Sequence, residues 1–399
     1  MQEPATKAAE REPGDRDGRE PHEPYELTIV AHDIGPVGGM ERIISELIFG
    51  LRRRGHRVRV IARTCELPAD TGVEFHRVRG PGRPFVLAYP LFLVMGTIAL
   101  WRHRLGLVQT TGAIVLNRVD FVEIQYCQHV GPSAPSRESP LFWLNAAAAA
   151  LLGRVGERLC FARNRPWRFI CASEGVAEEM REHFPAQAAR VVAVANGVDV
   201  EVFRPARPGE DRAAPRADLD LQGEQPLAIF VGSDWKRKGL GAAIRALAFA
   251  PRWQLLVVGR GDRDLYEGLA RELGVAARVR FAGVSRDTAP LYRLADAFVF
   301  PTSYEAFPLV ALEAAASGLP ILAPPVNGVR ELVGDGENGF LIDREDPAAI
   351  GERLEELAAD SELARRLSQQ ARRRGLDYSW DRMVARHDEL YVAGASRRR

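Results

Sequence analysis

Pro301-Thr302-Ser303-Tyr304-Glu305-Ala306-Phe307-Pro308-Leu309-Val310-Ala311-Leu312-Glu313 is the stretch on which the fold turns. The apolar run 298–301 ends in a short polar loop, and an apolar helical pattern starts beside Pro308, where a first helical turn accepts a residue lacking N–H. Strand, loop and helix in series form a βα unit, whose ligands sit outside the carboxyl end of the strand. Glu305 falls in the loop and Glu313 one to two turns into the helix. Singly, Glu305 reads equally as a solvated loop carboxylate, and Glu313 as a charge favoured near a helix N-terminus. No carboxylate or histidine stands near either at metal-ligand spacing. As a pair they suit hydroxyl-rich ligands, because sugar or ribose hydroxyls donate the hydrogen bonds a partly buried carboxylate needs.

Outward from this stretch, strand-like runs recur at 227–231, 253–258, 279–281, 321–323 and 339–342. An earlier series lies at 27–31, 58–62, 73–78, 107–110, 122–126, 169–172 and 191–194, with helical patterns between, among them one at about 40–54 closed by Gly55. This alternation predicts an α/β chain of two facing Rossmann-like, doubly wound domains. Residues 1–24, polar and without an apolar run, read as a disordered tail; 25–203 form the first domain. Asn196-Gly197-Val198-Asp199 is a turn, and 204–225, dense in Pro, Arg, Asp and Gly, reads as a linker. The second domain is 226–376, and 377–399 a C-terminal helix.

A chain of 399 residues, 46% hydrophobic, can fill two such cores. Its net charge of +1 points to no nucleic-acid partner. Cys65, Cys127, Cys160 and Cys171 lack C-x-x-C spacing and read as thiols of a reducing compartment; the eight histidines suggest no metal site. No signal peptide is apparent, which predicts a cytoplasmic protein. The apolar stretch 85–101 is short for a membrane span and carries Pro90; with basic residues flanking it, 83–104 reads as a buried or interfacial helix, the latter in peripheral contact with the inner face of an anionic membrane.

Two further loops resemble ligand cradles. Gly35-Pro36-Val37-Gly38-Gly39-Met40-Glu41-Arg42 follows the first strand and opens a helix, so that backbone N–H groups can approach an anion; a plain tight turn is the alternative. Phe230-Val231-Gly232-Ser233-Asp234-Trp235 leads into Lys236-Arg237-Lys238-Gly239, with a helix beginning near Gly239. The chain holds three lysines, and two of them flank Arg237 here. A compact ammonium beside a planar guanidinium suits a diphosphate, although short basic runs also occur as solvated turns. The dinucleotide fingerprint G-x-G-x-x-G is absent, which disfavours a nicotinamide oxidoreductase.

Taken in order, Gly38-Gly39-Met40-Glu41-Arg42, Asn196-Gly197-Val198-Asp199, Lys238-Gly239, the pair Glu305/Glu313, Glu313-Ala314-Ala315-Ala316-Ser317-Gly318-Leu319-Pro320 and Glu337-Asn338-Gly339-Phe340-Leu341 resemble the retaining glycosyltransferases of family 4, which have the GT-B fold. The resemblance runs from about Tyr25 to Tyr391, and the run 231–239 is most similar to bacterial lipopolysaccharide core glucosyltransferases, which use UDP-glucose. It implies a metal-independent hexosyltransferase with no cofactor, acting on a glycan or lipid-linked acceptor in cell-envelope or polysaccharide synthesis, with 25–203 on the acceptor side, 226–376 binding the nucleotide-sugar and the helix of 377–399 crossing back to the first domain. Arg237 and Lys238 would bind the donor diphosphate, Glu305 the donor sugar and Glu313 the ribose. Backbone groups of Phe307 and Leu309 would face sugar or phosphate, Gly38 and Gly39 would close the site, and Gly283 and Val284 would meet the nucleobase. His129 loosely matches a histidine that contacts the donor sugar; a structural histidine is an equal reading. Two departures are Ser233, where many members carry arginine, and Phe307-Pro308 in place of a glycine-bearing turn. A nucleotide-sugar epimerase or a sugar phosphorylase-like enzyme of the same fold, or a nucleotide-sugar-binding protein without catalysis, are the alternatives.

Overall fold

The computed structural model describes residues 23–36, 38–127, 140–221 and 223–398. A first sheet of seven parallel strands comprises β1 (Glu26–Val30), β2 (Arg57–Ala62), β3 (Glu74–Arg77), β4 (Leu107–Thr111), β5 (Phe121–Ile124), β6 (Arg168–Cys171) and β7 (Val191–Ala193), in the order β3-β2-β1-β4-β5-β6-β7. A second has β8 (Leu227–Val231), β9 (Gln254–Val258), β10 (Val279–Gly283), β11 (Ala297–Val299), β12 (Ile321–Ala323) and β13 (Gly339–Leu341), also parallel, in the order β10-β9-β8-β11-β12-β13. Chain direction across each sheet reverses between its first and fourth strands, which opens a crevice at the carboxyl ends of β1 and β4 and of β8 and β11. The sequence makes such strands because helices cover both faces: Leu227 to Val231 and Gln254 to Val258 are buried along their whole length.

Six helices matter for the site: α1 (Gly39–Arg53), α2 (Phe85–His103), α3 (Pro140–Asn164), α4 (Glu174–His183), α5 (Leu309–Ala316) and α6 (Trp380–Arg398). The terminal α6 lies on the first domain, and its start is tied to the 196–199 turn by hydrogen bonds from Val198 N–H to the Tyr378 carbonyl (2.8 Å) and from Trp380 N–H to the Val198 carbonyl (3.2 Å). Its Trp380, Met383, Val384 and Tyr391 share a core with Ile44, Leu47, Ile48 and Leu51 of α1. Asp388 accepts hydrogen bonds from Tyr25 (2.7 Å) and Arg54 (3.0 Å).

In two places the structure departs from the sequence reading. Lys236-Arg237-Lys238 is not a loop ahead of a helix but part of a helical turn, Trp235–Lys238, separated from the helix Leu240–Ala246 by Gly239. Asp234, in the left-handed region at φ 57°, starts that turn and accepts a hydrogen bond from the Arg237 N–H. The stretch 204–225 is not bare linker: it carries the helix Ala213–Asp218, whose buried Arg216 bonds the Leu294 carbonyl and Asp296 of the second domain.

Candidate functional site

Two loops of the second domain and the glycine-rich helix start of the first meet where the two sheets face each other. The loop after β8 carries the basic turn, and two glycines set its path. Gly239 has φ 81°, and a Cβ there would lie 1.9 Å from the Pro301 carbonyl oxygen. A Cβ on Gly232 would lie 2.4 Å from Lys238 Cδ, so only glycine lets the lysine stem pass back over the strand end. Lys238 Nζ then sits 4.7 Å from the Phe300 ring centroid, beneath the loop after β11.

That loop brings Glu305 to the same point. Arg237 Nη1 donates to Glu305 Oε1 at 2.9 Å and Lys238 Nζ donates to the same oxygen at 2.8 Å. Arg237 also donates to the Tyr304 carbonyl (2.6 Å) and to Asp234 Oδ2 (3.0 Å). Burial works against its charge, but Glu305 and Asp234 outweigh it and hold the guanidinium protonated. Two cations converge on one carboxylate oxygen, with Asp234 as a second counter-charge on Arg237, in a half-buried crevice where charge interactions are screened less than in water.

Beyond Glu305 the chain passes Pro308 into α5. Among the described residues, no acceptor is bound to the backbone N–H of Phe307, Leu309 or Val310, so the positive end of this helix, which follows Glu305 closely in the chain, keeps its donors for a ligand. Glu313, buried within α5, accepts from Tyr292 (Oε2, 3.2 Å) and from Arg42 of the first domain (Oε1, 2.9 Å). Burial pushes its pKa up, opposed by Arg42 and Tyr292. Arg42 belongs to α1, one turn after Gly38 and Gly39, so the glycine-rich helix start stands opposite α5.

All but one of the predicted residues lie among the described residues. Arg237, Lys238 and Glu305 are in contact; Phe307, Leu309 and Glu313 follow on the same loop and helix. Gly283 (φ 72°) and the exposed Val284 lie at the carboxyl end of edge strand β10, on the same side of the second sheet. His129 lies outside the described residues. The sequence reading gave no role to Arg42, nor to Glu179 of α4, which accepts from Tyr304 (3.0 Å) and Asn327 (2.7 Å) across the domain boundary. Arg42 lay inside a quoted motif; Glu179 carries no local signal.

The family model for glycosyl transferases group 1 matches residues 211–374, and that for glycosyltransferase family 4 matches residues 37–202. The chain belongs to the family 4, group 1 glycosyltransferases. Among curated relatives, it is 32% identical over 229 residues to the lipopolysaccharide core biosynthesis glycosyltransferase LpsE of Rhizobium meliloti, covering 56% of this chain and 64% of that protein. It is 34% identical over 250 residues to the D-inositol 3-phosphate glycosyltransferase of Streptomyces avermitilis, covering 58% and 53% respectively. The chain thus spans between about half and just under two thirds of these two relatives. The crystal structure of WaaG, a glycosyltransferase involved in lipopolysaccharide biosynthesis, superposes with a TM-score of 0.74 at 22% identity, over 91% of this chain and 99% of that one. This glycosyltransferase therefore has the GT-B fold, and its crevice lies at the carboxyl ends of the strands, where doubly wound sheets hold their ligands.

Proposed function

We propose that the protein moves a hexosyl unit from a nucleoside diphosphate sugar to a hydroxyl of a glycan, glycolipid or related acceptor, with retention and without a metal ion. The observation that carries this reading is the convergence of Arg237 and Lys238 on one oxygen of Glu305 beside the open N-terminus of α5. A diphosphate entering there is met by both cations, which turn to it and release Glu305 to the hydroxyls of the donor sugar. Charge builds on the departing diphosphate as the glycosidic bond breaks, and donors already in position stabilise it without reorganising. Fixed cations can supply what a divalent ion supplies elsewhere. Glu305 hydrogen-bonds the sugar and needs no covalent step, unlike a hydrolase carboxylate pair. A UDP-sugar is the favoured donor, on the similarity of the run 231–239 to glucosyltransferases that use UDP-glucose.

The test is release of nucleoside diphosphate from UDP-, GDP- and ADP-hexoses in EDTA, with and without glycan or lipid extracts. One nucleotide should be released, faster with acceptor, and the product should keep the donor's anomeric configuration. Donor conversion without acceptor would instead favour the epimerase, and binding without turnover a binding protein.

An acceptor at an anionic membrane surface is supported by α2. It is one helix, among the described residues, long and apolar enough to cross a membrane, but it is packed on one side only. Tyr89, Phe92, Gly96 and Leu100 face inward, while Leu87, Leu91, Val94, Ile98 and Trp101 form an exposed stripe, Trp101 being 77% exposed. No acidic residue occurs from 75 to 119, whereas Arg77, Arg79, Arg83, Arg102, Arg104 and Arg118 do. The neighbouring α3 exposes Leu151, Val155 and Leu159 beside Arg154 and Arg158. Apolar side chains ringed by arginine fit the cytoplasmic face of a bilayer. The protein should sediment with phosphatidylglycerol vesicles at low salt and several-fold less with neutral ones. No binding to either, or a stable dimer that hides the stripe, would remove the membrane from this account.

A further inference from the structure

The 196–199 turn, which the reaction above leaves unused, is joined to the donor loop by a continuous chain of polar groups, buried at Glu123, His387 and Asn196 and half-buried at Gln125. In α6, His387 Nε2 lies 3.1 Å from Glu123 Oε2 at the end of β5, and its Nδ1 lies 3.0 Å from the Met383 carbonyl. The Gln125 amide donates to Glu123 Oε1 (2.9 Å) and to Asn196 Oδ1 (3.2 Å). Asn196 Nδ2 donates to the carbonyl of Phe307 at 3.1 Å, between Glu305 and the start of α5. Its ends orient this chain. A carboxylate and a backbone carbonyl both accept, so Gln125 must turn its NH₂ to Glu123 and Asn196 its NH₂ to Phe307. Asn196 is 3% exposed and Glu123 2% exposed, so water offers neither a substitute partner. Phe307 belongs to the second domain and Asn196 to the end of the first, so this hydrogen bond forms only when the domains meet as they do here. Gly197 lets the turn lie flat on α6: a Cβ there would fall 2.6 Å from the Trp380 ring.

We propose that Asn196, clamped by Gln125 and the buried Glu123–His387 pair, is a positioning residue that fixes the Phe307 carbonyl and thereby aims Glu305 and the N-terminus of α5 at the donor. The inference rests on the donor site proposed above. It places donor affinity partly under control of residues that touch neither donor nor acceptor. Asn196→Asp keeps the shape but sets an acceptor against the Phe307 carbonyl. Calorimetric titration with UDP, GDP and ADP should show the nucleotide that binds wild type held about tenfold less tightly by N196D, as expected for one buried hydrogen bond lost. Donor KM should rise in parallel and acceptor KM stay unchanged. A lower melting temperature with an unchanged Kd would mean a merely structural role and overturn the proposal. Should N196D not fold, Gln125→Met releases the Asn196 amide at nearly constant volume and should weaken binding roughly three- to fivefold; wild-type affinity there overturns the proposal too. If wild type itself binds none of the three nucleotides, the donor site fails and this inference fails with it.

Discussion

Lys238→Ala is expected to lower turnover by about 10²–10³-fold while the melting temperature stays within a few degrees of wild type. The side chain is built in, not solvated: 13% exposed, threaded past Gly232, over Phe300 and onto Glu305. Its loss removes a stem's worth of packing, but Glu305 keeps Arg237 as a partner, so no buried charge is stranded. Turnover depends on the missing ammonium in another way, because the leaving diphosphate gains charge only in the transition state. Arg237→Ala should cost a similar factor in turnover and more in stability, since that guanidinium also holds the Tyr304 carbonyl and Asp234. The two cations act on one group, so the double variant should fall well short of the product of the single effects. Steady-state rates on the released nucleotide and unfolding curves on the same samples decide the matter. Unchanged turnover in both single variants would contradict the assignment.

Glu313→Ala should have the largest effect on the folded state, about 2 kcal/mol, because it takes a buried carboxylate out of a partly buried ion pair and away from the buried Tyr292 hydroxyl. Arg42 would lose its hydrogen-bonded carboxylate and keep only the more distant charge of Glu46, and the buried Tyr292 hydroxyl would keep only the Val310 carbonyl as acceptor (3.0 Å). The same variant should raise donor KM about tenfold or more if the carboxylate also receives the ribose hydroxyls. Glu313→Gln separates the two roles. It preserves volume and can still accept from Tyr292, so it should recover part of the stability while donor affinity stays low. Urea unfolding and donor KM measured on both variants distinguish these effects. Full donor affinity in Glu313→Gln would leave Glu313 as a domain-joining residue alone.

Much of the fold was legible because the central strands are short apolar runs buried on both faces, so that 227–231 and 254–258 announce themselves without tertiary knowledge. The crevice followed from chemistry at strand ends: a basic cluster after one strand, a carboxylate loop after another. What the sequence could not supply is partnership at a distance. Arg42 and Glu313 are 271 residues apart and Glu123 and His387 are 264 apart, and no periodicity links either pair. The turn at 235–238 was missed because its start depends on Asp234 adopting the left-handed region, a choice local propensity disfavours. The exposed stripe of α2 was hidden for the opposite reason. A helix apolar on every side gives periodicity no contrast, and only its packing shows which side is left bare.

The most direct test of the donor site is thermal unfolding with UDP, GDP and ADP, each with and without EDTA, on wild type and Lys238→Ala. A ligand at about a hundred times its Kd adds roughly 2.7 kcal/mol, a readily measured shift. The account predicts that one nucleotide, UDP first, raises the wild-type transition equally with and without EDTA, and that Lys238→Ala loses most of that shift. No shift with any of the three, or a shift that survives Lys238→Ala undiminished, would contradict it.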